Sequence, residues 1–255
     1  MTLAASYSPL LFAECNKPLM NGWAGEWEPF IMGTHDKPAG LDMEILDAVV
    51  KASGCTWRST DVVIPWARHL ELMRLGELDL ATGASWTQER AEYAYFTRPY
   101  RSEYVAIFVR NKDLETYKPY SLQELDSKLS SIGTEFGSTY GKIMGTLLEA
   151  MGERVQRVYS NKQNIPKLLG MRIDGYIGFL PHDSMRINKK GYADKISLLP
   201  VSVVNTGDIH IMLSKLSNSK EVFKAIEAGL AEIKSNGIFD KIIKKYSDKY
   251  AVTYW

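Results

Sequence analysis

The first eighty-odd residues alternate strand-like and helix-like runs, and that order constrains the fold more than any other feature. Residues 19–24 form a short apolar run of strand length. After Gly40, the apolar positions Leu41, Ile45, Leu46, Val49 and Val50 recur at helical spacing, which predicts a helix over 42–53. Gly54 stands where a helix C-terminus favours glycine. Residues 57–63 predict a second strand, and Pro65 suits the start of a second helix with Leu70, Met73 and Leu75 on its apolar face. Residues 78–81 predict a third strand. Strands separated by helices in this way lie parallel in one sheet, with the helices covering its faces.

A second set of the same kind follows. Residues 104–110 predict an apolar strand, and 111–121 turn polar around Pro119. Strands are expected at 130–133, 154–159, 175–180 and 209–213, with helices at 138–151, 161–169, 220–236 and 238–246. The fold class is therefore α/β. The second set sits inside the first one's sequence, so two lobes with a cleft between them are expected. Residues 16–108 and 207–255 would form lobe one and residues 109–206 lobe two. Two hinge strands would run near Arg110 and near residues 203–206.

The 255 residues carry a formal net charge of only +1, with no dense basic stripe, which argues against a nucleic-acid partner. No apolar stretch reaches the length of a membrane span. Residues 1–13 are apolar, rich in small residues and free of Lys and Arg, so residues 1–15 read as a secretory-signal remnant or N-terminal extension. The two cysteines, Cys15 and Cys55, each precede a predicted strand. If those strands are parallel neighbours, the sulfurs can bridge, which implies an oxidising compartment. The alternative is two unrelated buried thiols. Two cysteines alone make no metal site, and the four histidines lack His-x-x-x-His spacing. No metal and no cofactor are expected. There is no nucleophile elbow, and the glycines of residues 133–138 lack the ending of a phosphate loop.

The chemistry concentrates in residues 82–90, Thr-Gly-Ala-Ser-Trp-Thr-Gln-Glu-Arg, directly after the third predicted strand. Open α/β sheets bind ligands at such strand ends. Ser85 and Thr87 offer hydroxyls, and Arg90 offers a planar fork for a carboxylate. The competing explanation is a helix start, with Thr87 as N-cap and Arg90 solvated. Trp66 and Arg68 add a ring and a second guanidinium after Pro65. They serve either a ligand or the helix start itself.

These landmarks, in this order, resemble the bacterial extracellular solute-binding proteins of family 3, which bind polar amino acids for ABC transporters. The resemblance spans residues 19–246. It rests on Trp27-Glu28-Pro29-Phe30, Gly40-Leu41-Asp42, Gly76-Glu77-Leu78-Asp79, Thr87-Gln88-Glu89-Arg90, Phe96-Thr97-Arg98-Pro99-Tyr100, Gly137-Ser138-Thr139, Arg172-Ile173-Asp174-Gly175 and Asn236-Gly237-Ile238-Phe239. It implies the two-lobed periplasmic-binding-protein fold of type II and closure about a hinge. It also implies that Trp27 stacks on the ligand, with Phe30 in the same loop. Ser85 and Arg90 would hold a carboxylate, and Ser138 and Thr139 would add contacts from a helix N-terminus in the second lobe. One position departs from the pattern. Phe179 falls where a carboxylate commonly pairs with the ligand's amino group, and Asp183 is the nearby substitute. A phenyl ring offers only weak attraction to a cation. The expected ligand is therefore a small carboxylate, an amino acid or related compound, clamped by aromatic rings and not recognised as an ordinary α-amino acid.

The expected function is that of a periplasmic solute-binding protein, a monomer and not an enzyme, that delivers a small molecule to a membrane ABC permease. Two alternatives stand beside it. One is a ligand-sensing module of the same fold. The other is a dehydratase-like enzyme on this scaffold, for which Glu28, Glu89 and Lys142 would be the groups to test.

Overall fold

The computed structural model describes residues 15–250. The expected N-terminal extension lies almost wholly outside them. The first lobe opens with β1 (Leu19–Trp23), a hairpin of β2 (Met32–Thr34) and β3 (Lys37–Ala39), α1 (Leu41–Ala52), β4 (Trp57–Val63), α2 (Trp66–Arg74) and β5 (Leu80–Ser85). It continues through α3 (Gln88–Tyr93) and β6 (Ala94–Phe96) into the long strand β7 (Arg101–Arg110). Then come α4 (Leu114–Tyr117), α5 (Leu125–Lys128), β8 (Ile132–Glu135), α6 (Gly141–Met151), β9 (Val155–Val158), α7 (Asn164–Leu169) and β10 (Gly175–Leu180). The chain closes with α8 (His182–Lys189), β11 (Ile196–Leu198), β12 (Val204–Ser214), α9 (Lys220–Ser235) and α10 (Ile238–Tyr250).

One continuous sheet runs through the two-lobed molecule in the order β4-β1-β5-β12-β7-β10-β8-β9. β1 is parallel to β4 and to β5, as the alternation of strands and helices requires. β7 and β12 pair antiparallel, from Val204 opposite Val105 to Ile209 opposite Arg101. β12 then continues against β5, and β7 continues against β10. These two strands carry the sheet from one lobe into the other.

The apolar stripe of α1 is buried as its spacing predicts. Leu41, Ile45, Leu46, Val49 and Val50 pack with Leu19, Trp23 and Leu80, and also with Ile209, Ile211, Ile226 and Leu230 from the last quarter of the chain. β7 is buried on both faces. Val105, Ile107 and Val109 join one second-lobe core with Met144 and Ile177, while Ala106 and Phe108 join another with Leu168 and Tyr176. Two-sided burial suits an interior strand and explains its unbroken apolar run.

Some elements differ from expectation. β5 extends to Ser85, because Ala84 and Ser85 pair with His210 and Ile209. Small residues there carry no alternation to announce a strand. α8 has no strong apolar pattern, and α6 starts at Gly141, later than expected.

Cys15 and Cys55 are bonded, with Cα atoms 5.4 Å apart. The bridge follows from the parallel pairing of β1 and β4, which sets Leu19 beside Trp57. It closes a separation of 40 residues, for which the chain-entropy estimate is about 3–4 kcal/mol. Thiol titration of denatured, unreduced protein is expected to find no free thiol from this pair. Reduction is expected to lower the melting temperature.

A buried ion cluster ties α1 to β7. Arg101 grips Asp42 through Nε at 2.9 Å and Nη2 at 3.1 Å, and its Nη1 reaches Glu103 at 3.3 Å. The side chains of Arg101 and Asp42 are fully buried. Asp42 lies in the first turn of α1 and is buried. Removing one partner leaves the other charge buried and alone. Asp42→Ala is expected to destabilise the fold by about 3–5 kcal/mol in chemical denaturation, with the second lobe's spectroscopic signals lost in the same transition.

Candidate functional site

A cavity of about 1140 Å³ opens between the lobes. Its first-lobe wall is built from the ends of β1 and β5, the loop holding Trp27 and the start of α2. Trp27, Trp66, Ser85 and Arg90 all line it, and from the second lobe so do Ser138, Thr139 and Phe179. Three expected residues stand off its wall. Phe30 is buried beneath Trp27, with ring centroids 4.7 Å apart and the Arg101 guanidinium 4.0 Å from its own ring. Arg68 is exposed on the outward side of α2. Thr87 caps α3, its hydroxyl accepting from the Arg90 backbone N–H at 3.1 Å. The capping explanation thus holds for Thr87, but Arg90 is buried and not solvated.

Arg90 spans the cleft. Nη1 donates to the Ser85 carbonyl at 2.7 Å, and Nη2 donates to the Gly137 carbonyl of the second lobe at 2.6 Å. Trp66 Nε1 donates to the same Gly137 carbonyl at 3.2 Å, and the guanidinium lies 5.6 Å from the Trp66 ring. A guanidinium has five N–H donors, so most remain for a ligand. Burial lowers the Arg90 pKa, since no carboxylate is bonded to it directly. Gly83 sits at the same strand end with φ +70°, and a Cβ there would meet the Trp27 ring at 3.1 Å. A side chain at that point would displace the Trp27 ring.

Ser138 and Thr139 are in the wall, but not at a helix N-terminus. Tyr140 is the N-cap of α6, and Gly141 at φ +70° makes the turn into it. What they present beside the cavity is hydroxyl groups, two and three positions ahead of the helix. Tyr140 also fixes Phe179, stacking on it at 5.6 Å, while Phe179 meets Trp27 edge-on at 5.9 Å.

Phe179 lines the cavity where a carboxylate was expected to be missing, and two second-lobe carboxylates, Glu135 and the expected neighbour Asp183, line it as well. Asp183 is fully buried and committed to structure. It accepts from the Phe179 N–H at 2.8 Å and from Asn161 at 3.2 Å, and it pairs with Arg186 at 3.4 Å. Gly178 permits this approach, since a Cβ there would meet Asp183 at 2.8 Å. Glu135 ends β8, and among the described residues its carboxylate accepts two long hydrogen bonds, from the Asn161 N–H at 3.3 Å and the Ser138 hydroxyl at 3.4 Å. Burial pushes its pKa up to about 7, against the lowering effect of the Asn161 N–H. Glu103, on the first-lobe side, is likewise raised by burial to about 7 although Arg101 opposes it.

Two histidines belong to the wall. His182 Nδ1 lies 2.7 Å from the Glu28 carbonyl, so it must carry the proton and donate. Burial holds its pKa at about 3, which keeps the ring neutral. His69 is neutral for the same reason, at about 4, with Nε2 3.0 Å from the Leu80 carbonyl. Glu135, like Ser85, is the last residue of a strand, two residues beyond the strand end expected from the sequence.

The frame is that of a two-lobed binding protein with its ligand cleft between the lobes. The chain matches the bacterial extracellular solute-binding proteins, family 3, over residues 19–249, and it belongs to that family. It is 24% identical to a probable histidine-binding protein of Campylobacter jejuni over 235 residues, covering 88% of this chain and 83% of that protein. It is 23% identical to the probable amino-acid-binding protein YxeM of Bacillus subtilis over 232 residues, covering 88% and 82%. Among solved structures, it is similar to ArtJ, the arginine-, lysine-, histidine-binding protein of Geobacillus stearothermophilus. The TM-score is 0.72 at 21% identity, over 90% of this chain and 95% of that one. A histidine kinase sensor domain is similar at TM-score 0.73 and 18% identity, over 90% and 96%.

Burial holds the folded Glu135 carboxyl protonated up to about pH 7, whereas the unfolded chain releases the proton near the ordinary carboxylate value of 4.5. Between those values the folded state binds more protons, so its stability falls as pH rises through the window. Glu135→Gln removes this loss. Ligand-free Glu135→Gln is expected to melt higher than the unmutated protein at pH 8, by an amount worth about 1–3 kcal/mol, and to show little gain at pH 4.5. Melting curves across that range check it.

Proposed function

We propose that this protein captures a small carboxylate-bearing solute, an amino acid or related compound, by hinge closure and delivers it to a membrane ABC permease from the periplasm. The hinge strands in this proposal are β7 and β12, with residues 16–108 and 207–255 as one lobe and residues 109–206 as the other. The observation that carries the reading is Arg90. A buried guanidinium at a strand end, with donors unused and one bond already made across the cleft, favours an anionic ligand end and a closed arrangement of the lobes. Ser85 would share the carboxylate. Trp27, Trp66 and Phe179 would enclose the rest of the solute. Ser138 and Thr139 would contact it from the second lobe. The names of the relatives, which refer to histidine, arginine, lysine and amino acids in general, support a ligand of this size.

Similarity to a histidine kinase sensor domain supports a second reading, in which the same capture event feeds a signalling partner. Loss of solute uptake in cells lacking the protein favours delivery. Unchanged uptake with an altered transcriptional response favours sensing. In either case the chain acts by binding, in line with its family.

Native mass spectrometry of gently purified protein is the way to identify the solute, and calorimetry then measures its affinity. Arg90→Ala is expected to weaken binding by about 2–5 kcal/mol, because it removes a buried charge-assisted contact. Arg90→Lys is also expected to bind poorly, since an ammonium cannot reproduce the fork. Unchanged affinity in both variants would overturn the assignment of the carboxylate to Arg90.

A further inference from the structure

The space between the lobes is larger than a single amino acid requires. The lobes already touch at two places. The Gly137 carbonyl accepts from Arg90 and Trp66. Lys189 on α8 pairs with Glu26 and Glu28, and His182 bonds the Glu28 carbonyl. With those contacts in place the cavity still measures about 1140 Å³. Clefts that enclose a drug-sized molecule measure roughly 300–1000 Å³. A free amino acid has far fewer atoms and fills only a fraction of this space.

Much of the wall belongs to two helices of the second lobe. Just before α7, the Asn161 N–H bonds Glu135 at the end of β8, which marks the inner end of this face. From there Ile165, Pro166, Leu169 and Gly170 line the cavity, recurring once per helical turn, and none of the four is charged. Met185 on α8 and Tyr192 just beyond it line the same space, and α7 and α8 share one core through Ile165, Leu168 and Ile187. From Asn161 to Leu169 the helical rise covers about 12 Å. That is the length of about three residues of extended chain. Pro166 is exposed, and Leu169, Met185 and Tyr192 are partly buried. Apolar groups left partly in water around a cleft gain free energy when a ligand covers them. Lys162 and Lys190 also line the cavity, but they are exposed, and solvent screens their charge.

We propose that this face of α7 and α8 is an apolar extension of the ligand site, and that the solute is a carboxylate carrying a neutral apolar tail, the chemistry of an N-acylated amino acid. This rests on the solute-binding reading and narrows it. The carboxylate stays at Arg90, and the tail lies over Pro166, Leu169 and Met185. The tail is neutral because the α7 wall beyond Asn161 and Lys162 offers it no charged partner. Pro166, Leu169 and Met185 are the specificity-determining residues, since they meet the tail and not the carboxylate.

The test uses N-acetylglycine, N-butanoylglycine and N-hexanoylglycine, which share one carboxylate and differ only in the methylenes of the tail. Affinities are measured by calorimetry with the full chain. A fully buried methylene is worth up to about four-fold in affinity. N-hexanoylglycine is therefore expected to bind ten-fold or more tightly than N-acetylglycine, with N-butanoylglycine between them. Met185→Asp and Pro166→Asp each place a charge beside the tail, and neither residue belongs to the buried core. Each is expected to bring the ratio of hexanoyl to acetyl affinity to within about two-fold. Arg90→Ala is expected to weaken all three compounds and to preserve the ratio. Circular dichroism and melting curves confirm that each variant is folded. If the acylglycines bind through Arg90 with no gain from the longer tail, the extension is wrong and the solute-binding reading survives. The same holds if a free amino acid binds through Arg90 and no acylglycine does. A ratio that persists in both aspartate variants also overturns the extension. If neither acylglycines nor free amino acids bind, the carboxylate-anchor reading and the extension fail together.

Discussion

The grip of Arg101 on Asp42 and Glu103 is the interaction on which the rest of the structure depends. It joins the first turn of α1 to the first residues of β7, at the point where the sheet leaves one lobe for the other. The guanidinium also lies against the Phe30 ring and 5.5 Å from the centroid of the Trp27 ring. The aromatic floor of the cleft, the core of the first lobe and the strand into the second lobe therefore share one buried charge. A buried ion cluster is expensive to desolvate and is retained only with close to complete pairing. Here that pairing fixes where β7 begins, and with it the position of every second-lobe residue that faces the cavity.

The electrostatics of the cleft follow from the same arrangement. Arg101 is neutralised from below, so it does not compete for a ligand. Arg90 is buried but bonded only to backbone carbonyls, so its charge remains available. Across the cleft, Glu135 is in the complementary condition. The two groups come from equivalent places, the ends of β5 and β8, where parallel strands stop and the backbone opens toward the cleft. The bonds from Arg90 and Trp66 to Gly137, and from His182 to Glu28, join the lobes across the same space. Groups that line the cleft thus sit beside the contacts that join the two lobes.

Much of the fold was legible because hydrophobic spacing is a local property. The α1 stripe, the parallel order of β1, β4 and β5 and the apolar run of β7 are written into consecutive residues. The bridge between Cys15 and Cys55 followed from that parallel order. The elements that escaped notice lack such a pattern. The last residues of β5 are small, α8 is polar along most of its length, and the turn before α6 hides its true start at Gly141. Of the expected residues, Trp27, Trp66, Ser85, Arg90, Ser138, Thr139 and Phe179 line the cavity, while Phe30, Arg68 and Thr87 stand off it, because a residue's neighbour in sequence can point to the cleft while it points to the core, to solvent or to its own helix.

By itself, then, the sequence determined the class of fold, since that rests on short-range periodicity, and it offered Arg90 as a residue of suitable chemistry at a strand end. Only the tertiary structure decided which carboxylates face the cavity and which are already paired. Glu135, Asp183 and Glu103 are equally acidic in sequence. Their differences arise from Arg101, Arg186 and the absence of a basic partner at Glu135 among the described residues, and those neighbours lie on other strands and helices. The availability of a charge to a ligand depends on burial and pairing in three dimensions, and no local pattern along a chain encodes it.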